Sequence, residues 1–117
     1  MIYICTSLII LGITIRLIGF YALNVNNYWR ITCPQKIRKT GIYKYIRHPM
    51  YLGALINFFG LLLLSSNNLF LSAIIWLILC NFIFDRIDRE EQFLINMFGQ
   101  DYLDYMNETK MLIPFII

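Results

Sequence analysis

Residues 1–23 form an apolar run whose only charge is Arg16, and no other feature constrains the fold as tightly. Coiled at 1.5 Å per residue, the run is roughly 34 Å long, enough to cross the hydrocarbon core of a bilayer. No Lys or Arg precedes it and no small-x-small cleavage pattern follows it, so it reads as a spanning helix and not as a removable leader. Two further apolar runs, 50–64 and 69–84, are separated by Ser65-Ser66-Asn67-Asn68, a cluster of turn-forming residues. They read as a helical hairpin. Each leg is only about 22 to 24 Å long, so the hairpin either spans with its tip in the far headgroup layer or is re-entrant. Helices of a soluble bundle would carry a polar face, whereas these runs offer only Asn57, Ser72 and Asn81. With 59% apolar residues overall, the expectation is one all-α integral membrane domain over 1–117. Its spans would lie at about 1–23, 50–64 and 69–84, followed by a short C-terminal helical segment.

Charge placement sets the expected orientation. Six of the ten basic residues (Arg30, Lys36, Arg38, Lys39, Lys44, Arg47) lie in the 24–48 connection, which holds no acid, and all seven acids follow Phe84. By the positive-inside rule the basic connection is cytoplasmic, and with three spans residues 85–117 share that side. The net charge of +3 is then the remainder of two local fields. Orientation and attraction to anionic headgroups account for it without nucleic acid. Cys5, Cys33 and Cys80 show no paired spacing and read as small buried hydrophobes. One histidine cannot build a His-rich metal site, although carboxylates could contribute ligands. Fingerprints of nucleotide-binding loops and nucleophile elbows are missing from the sequence.

Two polar motifs flank the hairpin. In Arg47-His48-Pro49-Met50-Tyr51 the proline marks a helix start, because its missing N–H falls where a helix has no use for one. His48 then sits at the cap, where first-turn N–H groups, the helix dipole and Arg47 favour a carboxylate or phosphate. The competing reading is an interfacial belt of Tyr43, Lys44, Tyr45, Arg47 and Tyr51. Beyond Phe84, Ile87, Glu91, Leu94, Ile95 and Phe98 recur at helical spacing, while Arg86, Arg89 and Glu90 share another face. Arg86 and Glu90 extend the second hairpin leg one turn apart and can point to one place; a plain solvated face is the alternative. Gly99 reads as the helix stop and Asp101 as a cap for a short helix after it.

Gly41-x-Tyr43-x-Tyr45-x-Arg47-His48-Pro49-x-Tyr51-x-Gly53, Arg86-x-x-x-Glu90-Glu91, Phe98-Gly99-x-x-Tyr102-x-x-Tyr105 and Leu112-Ile113-Pro114 resemble, in order and spacing over about residues 15–117, the isoprenylcysteine carboxyl methyltransferase family. The resemblance implies an integral membrane enzyme that moves a methyl group from S-adenosylmethionine, taken from the cytosol, to a lipophilic or prenylated acceptor in the bilayer. It implies that Tyr43, His48, Pro49, Met50 and Tyr51 line the cofactor pocket, with Glu90 on the cofactor and Arg86 on the substrate. It also implies backbone contacts from Gln35, Lys36, Ile37 and Arg38, whose side chains match the family pattern poorly. Eukaryotic members carry additional N-terminal spans, and a sequence of 117 residues is short beside them. Carboxyl O-methylation is the expected reaction. A phospholipid N-methyltransferase, an NADPH-dependent sterol-type reductase, whose usual Asn after the proline is Met50 here, and a non-catalytic membrane protein are the rivals. A carboxylate acceptor needs no base, and Arg86 could orient it; an amine would have to lose a proton, to Glu90 or Glu91.

Overall fold

The computed structural model describes residues 1–24, 39, 41–113 and 117, the side chains of 23 and 24 excepted. Among them all regular structure is helical: α1 (Ile2–Asn24), a 3₁₀ turn (Gly41–Lys44), α2 (Pro49–Ser65), α3 (Leu69–Phe98) and α4 (Gln100–Glu108). Cys33 and the Gln35–Arg38 stretch lie outside the described residues. The three apolar runs are therefore three helices. α1 and α3 are long and apolar enough to cross a membrane, whereas α2 has only 17 residues. The most apolar stretches of α1 and α3 are just 17% and 11% buried, the reverse of a soluble core helix. Side chains such as Ile10, Leu17, Phe70, Leu77 and Phe82 stand exposed. Apolar surface on this scale needs lipid or further protein against it, and the fold is that of a membrane protein.

α1 and α2 pack antiparallel along a seam of small residues. Cys5, Gly12 and Gly19 recur every seven residues on α1, as do Gly53 and Gly60 on α2, which keeps one face of each helix toward its partner. A Cβ on Gly12 would lie 2.6 Å from the Gly53 carbonyl oxygen, and one on Gly53 would lie 2.7 Å from that of Gly12. Backbone meets backbone here, so neither glycine has room for a side chain. Asn57 is buried in the same seam, its Oδ1 without a hydrogen-bond partner among the described residues and pressed against the place a Gly12 Cβ would take.

The hairpin is closed by side chains that reach backbone. Asn68 caps α3 by accepting from the Leu71 amide at 3.1 Å. Ser72 Oγ donates across the turn to the Leu62 carbonyl at 3.2 Å, and Trp76 Nε1 to that of Leu55 at 3.0 Å. Of the three polar residues in these runs, Asn57 and Ser72 are thus buried, and Asn81 is exposed and turned back on the Leu77 carbonyl. Cys5 is buried and Cys80 half-buried. Leu55, Ile87 and Leu112 form the core at the hairpin base, flanked by Tyr51, Leu52, Trp76, Cys80, Ile83 and Met111. α3 does not stop at Phe84 but runs on to Phe98, so the charged cluster rides on the hairpin leg itself. Gly99, at φ 61°, ends α3 as expected, but it also serves as the N-cap of α4. The expectation for Asp101 is corrected accordingly. It lies exposed within the first turn of α4, where its charge meets the helix dipole but its side chain caps nothing.

The seam yields a graded test. Gly12→Ala and Gly53→Ala should each destabilise the protein by about 1–3 kcal/mol, because the added methyl meets backbone. Gly19→Ala should be milder, since its Cβ would meet the flexible Met50 side chain at 3.1 Å. Thermal unfolding in detergent measures all three; equal effects would refute the backbone-contact account.

Candidate active site

The two polar motifs converge at the base of the hairpin. Pro49 opens α2 and His48 is its N-cap, making no capping hydrogen bond with its side chain. Instead, His48 turns toward α3, and Nε2–H donates to Glu91 Oε1 at 2.9 Å. Arg47 Nε donates to the same oxygen at 2.7 Å. Arg47 Nη1 also reaches the carbonyls of Met106, at 3.1 Å, and Thr109, at 3.0 Å, and the Thr109 hydroxyl at 3.3 Å. The Arg47 and Glu91 side chains are only 8% and 6% exposed, and a buried pair needs further hydrogen bonds around it, which Arg47 Nη1 finds at Met106 and Thr109. Burial raises the cost of charge on Glu91, but the hydrogen bonds from His48 and Arg47 and their charge outweigh it. The carboxyl, well past the apolar run that ends at Phe84, is therefore held below its ordinary pKa of 4.5.

The backbone completes this junction. Ile46 and Lys110 form a parallel bridge, with Arg47 N donating to Lys110 O at 2.8 Å and Lys110 N to Tyr45 O at 3.0 Å. His48 N donates to Met111 O at 3.0 Å. From α4, the Tyr105 hydroxyl donates to the Tyr43 carbonyl at 2.6 Å. The segment that enters α2 is thus fastened to the segment that leaves α4.

A second, more open cluster sits beside it, built from Tyr51 in the first turn of α2 and from Arg86 and Glu90 on α3. The Tyr51 hydroxyl donates to Glu90 Oε1 and accepts from Arg86 Nε at 2.8 Å, while Arg86 Nε stands 3.5 Å from Glu90 Oε1. The Arg86 and Glu90 side chains are 71% and 42% exposed; such a pair adds little stability and stays available to a ligand. The expectation that Arg86 and Glu90 point to one place is met, and Tyr51 joins them. The remaining pocket candidates face α1. Met50, Pro49 and the Tyr43 hydroxyl crowd the Gly19 position, and that hydroxyl is 3.5 Å from the Gly19 carbonyl. The His48 and Tyr51 rings, 5.9 Å apart, connect the two groups.

Glu91 departs furthest from what the sequence suggests. As a candidate base it is poorly placed, being buried, paired twice and held ionised, whereas Glu90 keeps an exposed carboxylate. The part played by Thr109 and the Met106 carbonyl is invisible in the motifs. The one signal for it is the spacing of Tyr102, Tyr105 and Thr109, which share a buried face.

The family model described as phospholipid methyltransferase matches residues 1–101. The chain belongs to that family. Protein-S-isoprenylcysteine O-methyltransferase of Saccharomyces cerevisiae is 44% identical over 78 residues, 67% of this chain and 32% of that protein. Its Mus musculus counterpart is 34% identical over 77 residues, covering 66% of this chain and 27% of that protein. Both bear out the resemblance carried by the Arg47–Tyr51 and Arg86–Glu91 motifs. Methanethiol S-methyltransferase 1 of Bradyrhizobium diazoefficiens is 29% identical over 99 residues, 85% of this chain and 33% of that protein. The chain spans about a third of the length of these family relatives. No solved structure matches it.

The junction makes a prediction with a definite sign. Because Glu91 has its pKa lowered on folding, its stabilising contribution is full above the ordinary carboxylate value and disappears as pH falls through the lower folded value. Glu91→Gln should destabilise the protein by about 3–5 kcal/mol near neutrality, since it leaves Arg47 buried without its partner. The gap between parent and variant should close on acidification below about pH 4.5. Unfolding midpoints followed against pH measure this; a gap that stays constant into acid would remove Glu91 from the junction.

Proposed function

We propose that this chain transfers a methyl group from S-adenosylmethionine to a lipid-embedded acceptor, with the carboxylate of an isoprenylcysteine-like molecule as the substrate class. The observation that carries the reading is the convergence of Tyr51, Arg86 and Glu90 at the charged end of the apolar hairpin, in a chain of this family. A cytosolic donor and a membrane-borne acceptor can meet only at such a boundary. The residues fit the donor on two counts. Glu90 offers an exposed carboxylate for its ammonium group, and the first turn of α2 has N–H donors that His48 does not cap.

S-adenosylmethionine supplies a methyl group already activated on a sulfonium, so the protein needs no nucleophile of its own. Its work is placement, worth several kcal/mol of barrier when donor and acceptor are held in line. Arg86 orients the acceptor carboxylate, which is ionised at neutral pH and needs no base. Glu90 holds the donor's ammonium group. Tyr51 fixes the distance between the two charges. Met50, Pro49 and Tyr43 wall the pocket toward α1. Three membrane spans, α1 to α3, with residues 24–48 and 85–117 on the cytoplasmic side, complete the reading. An acceptor thiol is the second possibility, favoured by the relative named for methanethiol.

Arg86→Lys and Glu90→Gln should fail differently. Lys keeps the charge but loses the planar fork, so that variant should bind S-adenosylhomocysteine like the parent while its acceptor KM rises or kcat falls. Glu90→Gln should weaken S-adenosylhomocysteine binding by about 1.5–3 kcal/mol, the size of a charge-assisted hydrogen bond. Calorimetric titration in detergent and product analysis with carboxylate, amine and thiol acceptors are the measurements. Normal binding and turnover by both variants would reduce the cluster to a solvated helix face.

For topology, Lys44→Cys and Asn107→Cys, both at exposed positions, should be labelled by an impermeant thiol reagent from the same, cytoplasmic side. Labelling from opposite sides would break the three-span arrangement.

A further inference from the structure

Arg16 carries the only charge in the apolar run of α1, and the structure gives it no counter-ion. All seven acids of the chain are among the described residues, and the ion pairs they make are with Arg47, His48, Arg86 and Arg89. Among the described residues the Arg16 guanidinium has no hydrogen-bond partner either. Its stem is nevertheless seated. The Cγ lies 2.5 Å from the place a Gly53 Cβ would take, so the stem crosses α2 where that helix has no side chain. Gly53 is four residues past Pro49, which puts the crossing about 6 Å deeper along α2 than the helix start. The stem also leaves α1 toward its N-terminus, as every Cα–Cβ bond of a helix does, and so away from the polar junction at the His48 end. Its neighbours on α1, Ile13, Leu17 and Phe20, are apolar and exposed, and a charge held in such a place is costly without an anion beside it.

We propose that Arg16 binds the phosphate of an anionic phospholipid whose chains lie along the exposed face of α1. Position separates this seat from the methyl-transfer cluster. Met50, Gly53 and Gly60 face α1, whereas Tyr51 and Leu55 face α3, and Gly53 is turned about 200° from Tyr51. A carboxylate presented to Arg86 is therefore not the group that reaches Arg16, and the proposal does not rest on the methyltransferase reading. Length brings the headgroup near. α2 has 17 residues, about 25 Å against a hydrocarbon core of roughly 30 Å, and a bilayer thins beside a short helix. Headgroups drawn in at the His48 end approach the depth of Arg16, whose planar fork takes a phosphate through two N–H donors. A phospholipid also brings hydrocarbon to cover Ile13, Leu17 and Phe20. One molecule thus supplies both the anion and the apolar cover that this stretch of α1 is missing.

The test uses the full chain, delipidated in an uncharged detergent and titrated with dioleoyl phosphatidylglycerol, with bound lipid read by native mass spectrometry and the unfolding midpoint followed in parallel. Arg16→Gln should bind the lipid about ten-fold or more weakly, the scale of losing a charge-assisted hydrogen bond. Arg16→Lys should fall between the two, since it keeps the charge and loses the fork. Without lipid, parent and Arg16→Gln should unfold together; with lipid, only the parent should gain. Lys44→Gln combined with Lys110→Gln, which removes two exposed cations at the water side, should leave the tight lipid in place. Equal binding by the parent and Arg16→Gln would overturn the proposal, and so would an affinity that follows the two lysines instead. A difference between parent and variant seen only with an S-prenylcysteine carboxylate would also overturn it, by making the seat one for the acceptor. Should Arg16→Gln not fold, Arg16→Lys decides alone, and an affinity equal to the parent's would dispose of the site.

Discussion

One carboxylate holds the water-side end of this protein together. Glu91 accepts hydrogen bonds from His48 and Arg47 at the entrance to α2, and Arg47 in turn donates to the carbonyls at the end of α4. Three chain segments, far apart in sequence, are fixed by these few charge-assisted bonds. The geometry has a cost, since two charges leave water, and the added hydrogen bonds from His48 and to Met106 and Thr109 offset it. What the junction secures is position. With Glu91 locked on one side of α3, its neighbour Glu90 is turned about 100° away, toward Tyr51 and the open cluster. Adjacent glutamates thereby separate into a buried anchor and a more exposed group.

The membrane half is held by different means. Between the described residues of α1 and α2 no strong polar contact is at work, and close approach of backbones at Gly12 and Gly53 supplies the packing. The hairpin adds two side-chain donors to carbonyls, from Ser72 and Trp76. Dispersion and shape dominate where the surroundings are lipid, and charge dominates where water is near. The candidate site lies where one regime gives way to the other, which is where a water-borne donor and a lipid-borne acceptor would have to meet.

Much of the architecture is legible in the sequence because its signals are local. The Ser65–Asn68 turn, Pro49 at the start of α2 and Gly99 at the end of α3 each mark a boundary by their own backbone chemistry. The Arg86–Glu90 pairing follows from helical spacing alone. The division of labour between Glu90 and Glu91 does not, because it depends on how α3 is rotated against the entrance to α2, and that rotation is set by contacts across 43 and 44 residues. The Ile46–Lys110 bridge is equally hidden, since backbone hydrogen bonds leave no trace in side-chain pattern. Asp101 shows the limit of capping rules: the acid is present two residues late, and Gly99 already fills the position.

Gly99 also bears on how such a chain can change over time. It closes α3 and opens α4 with no residue between them, so the joint is a fixed angle and not a tether. Surface connections ordinarily absorb insertions and deletions with little harm. Here one added residue would turn α4 by about 100°, carrying Tyr102 and Tyr105 off their buried face and Thr109 away from Arg47. The number of residues at this corner is therefore under the same constraint as their identity, and variation in length should be confined to other parts of the molecule.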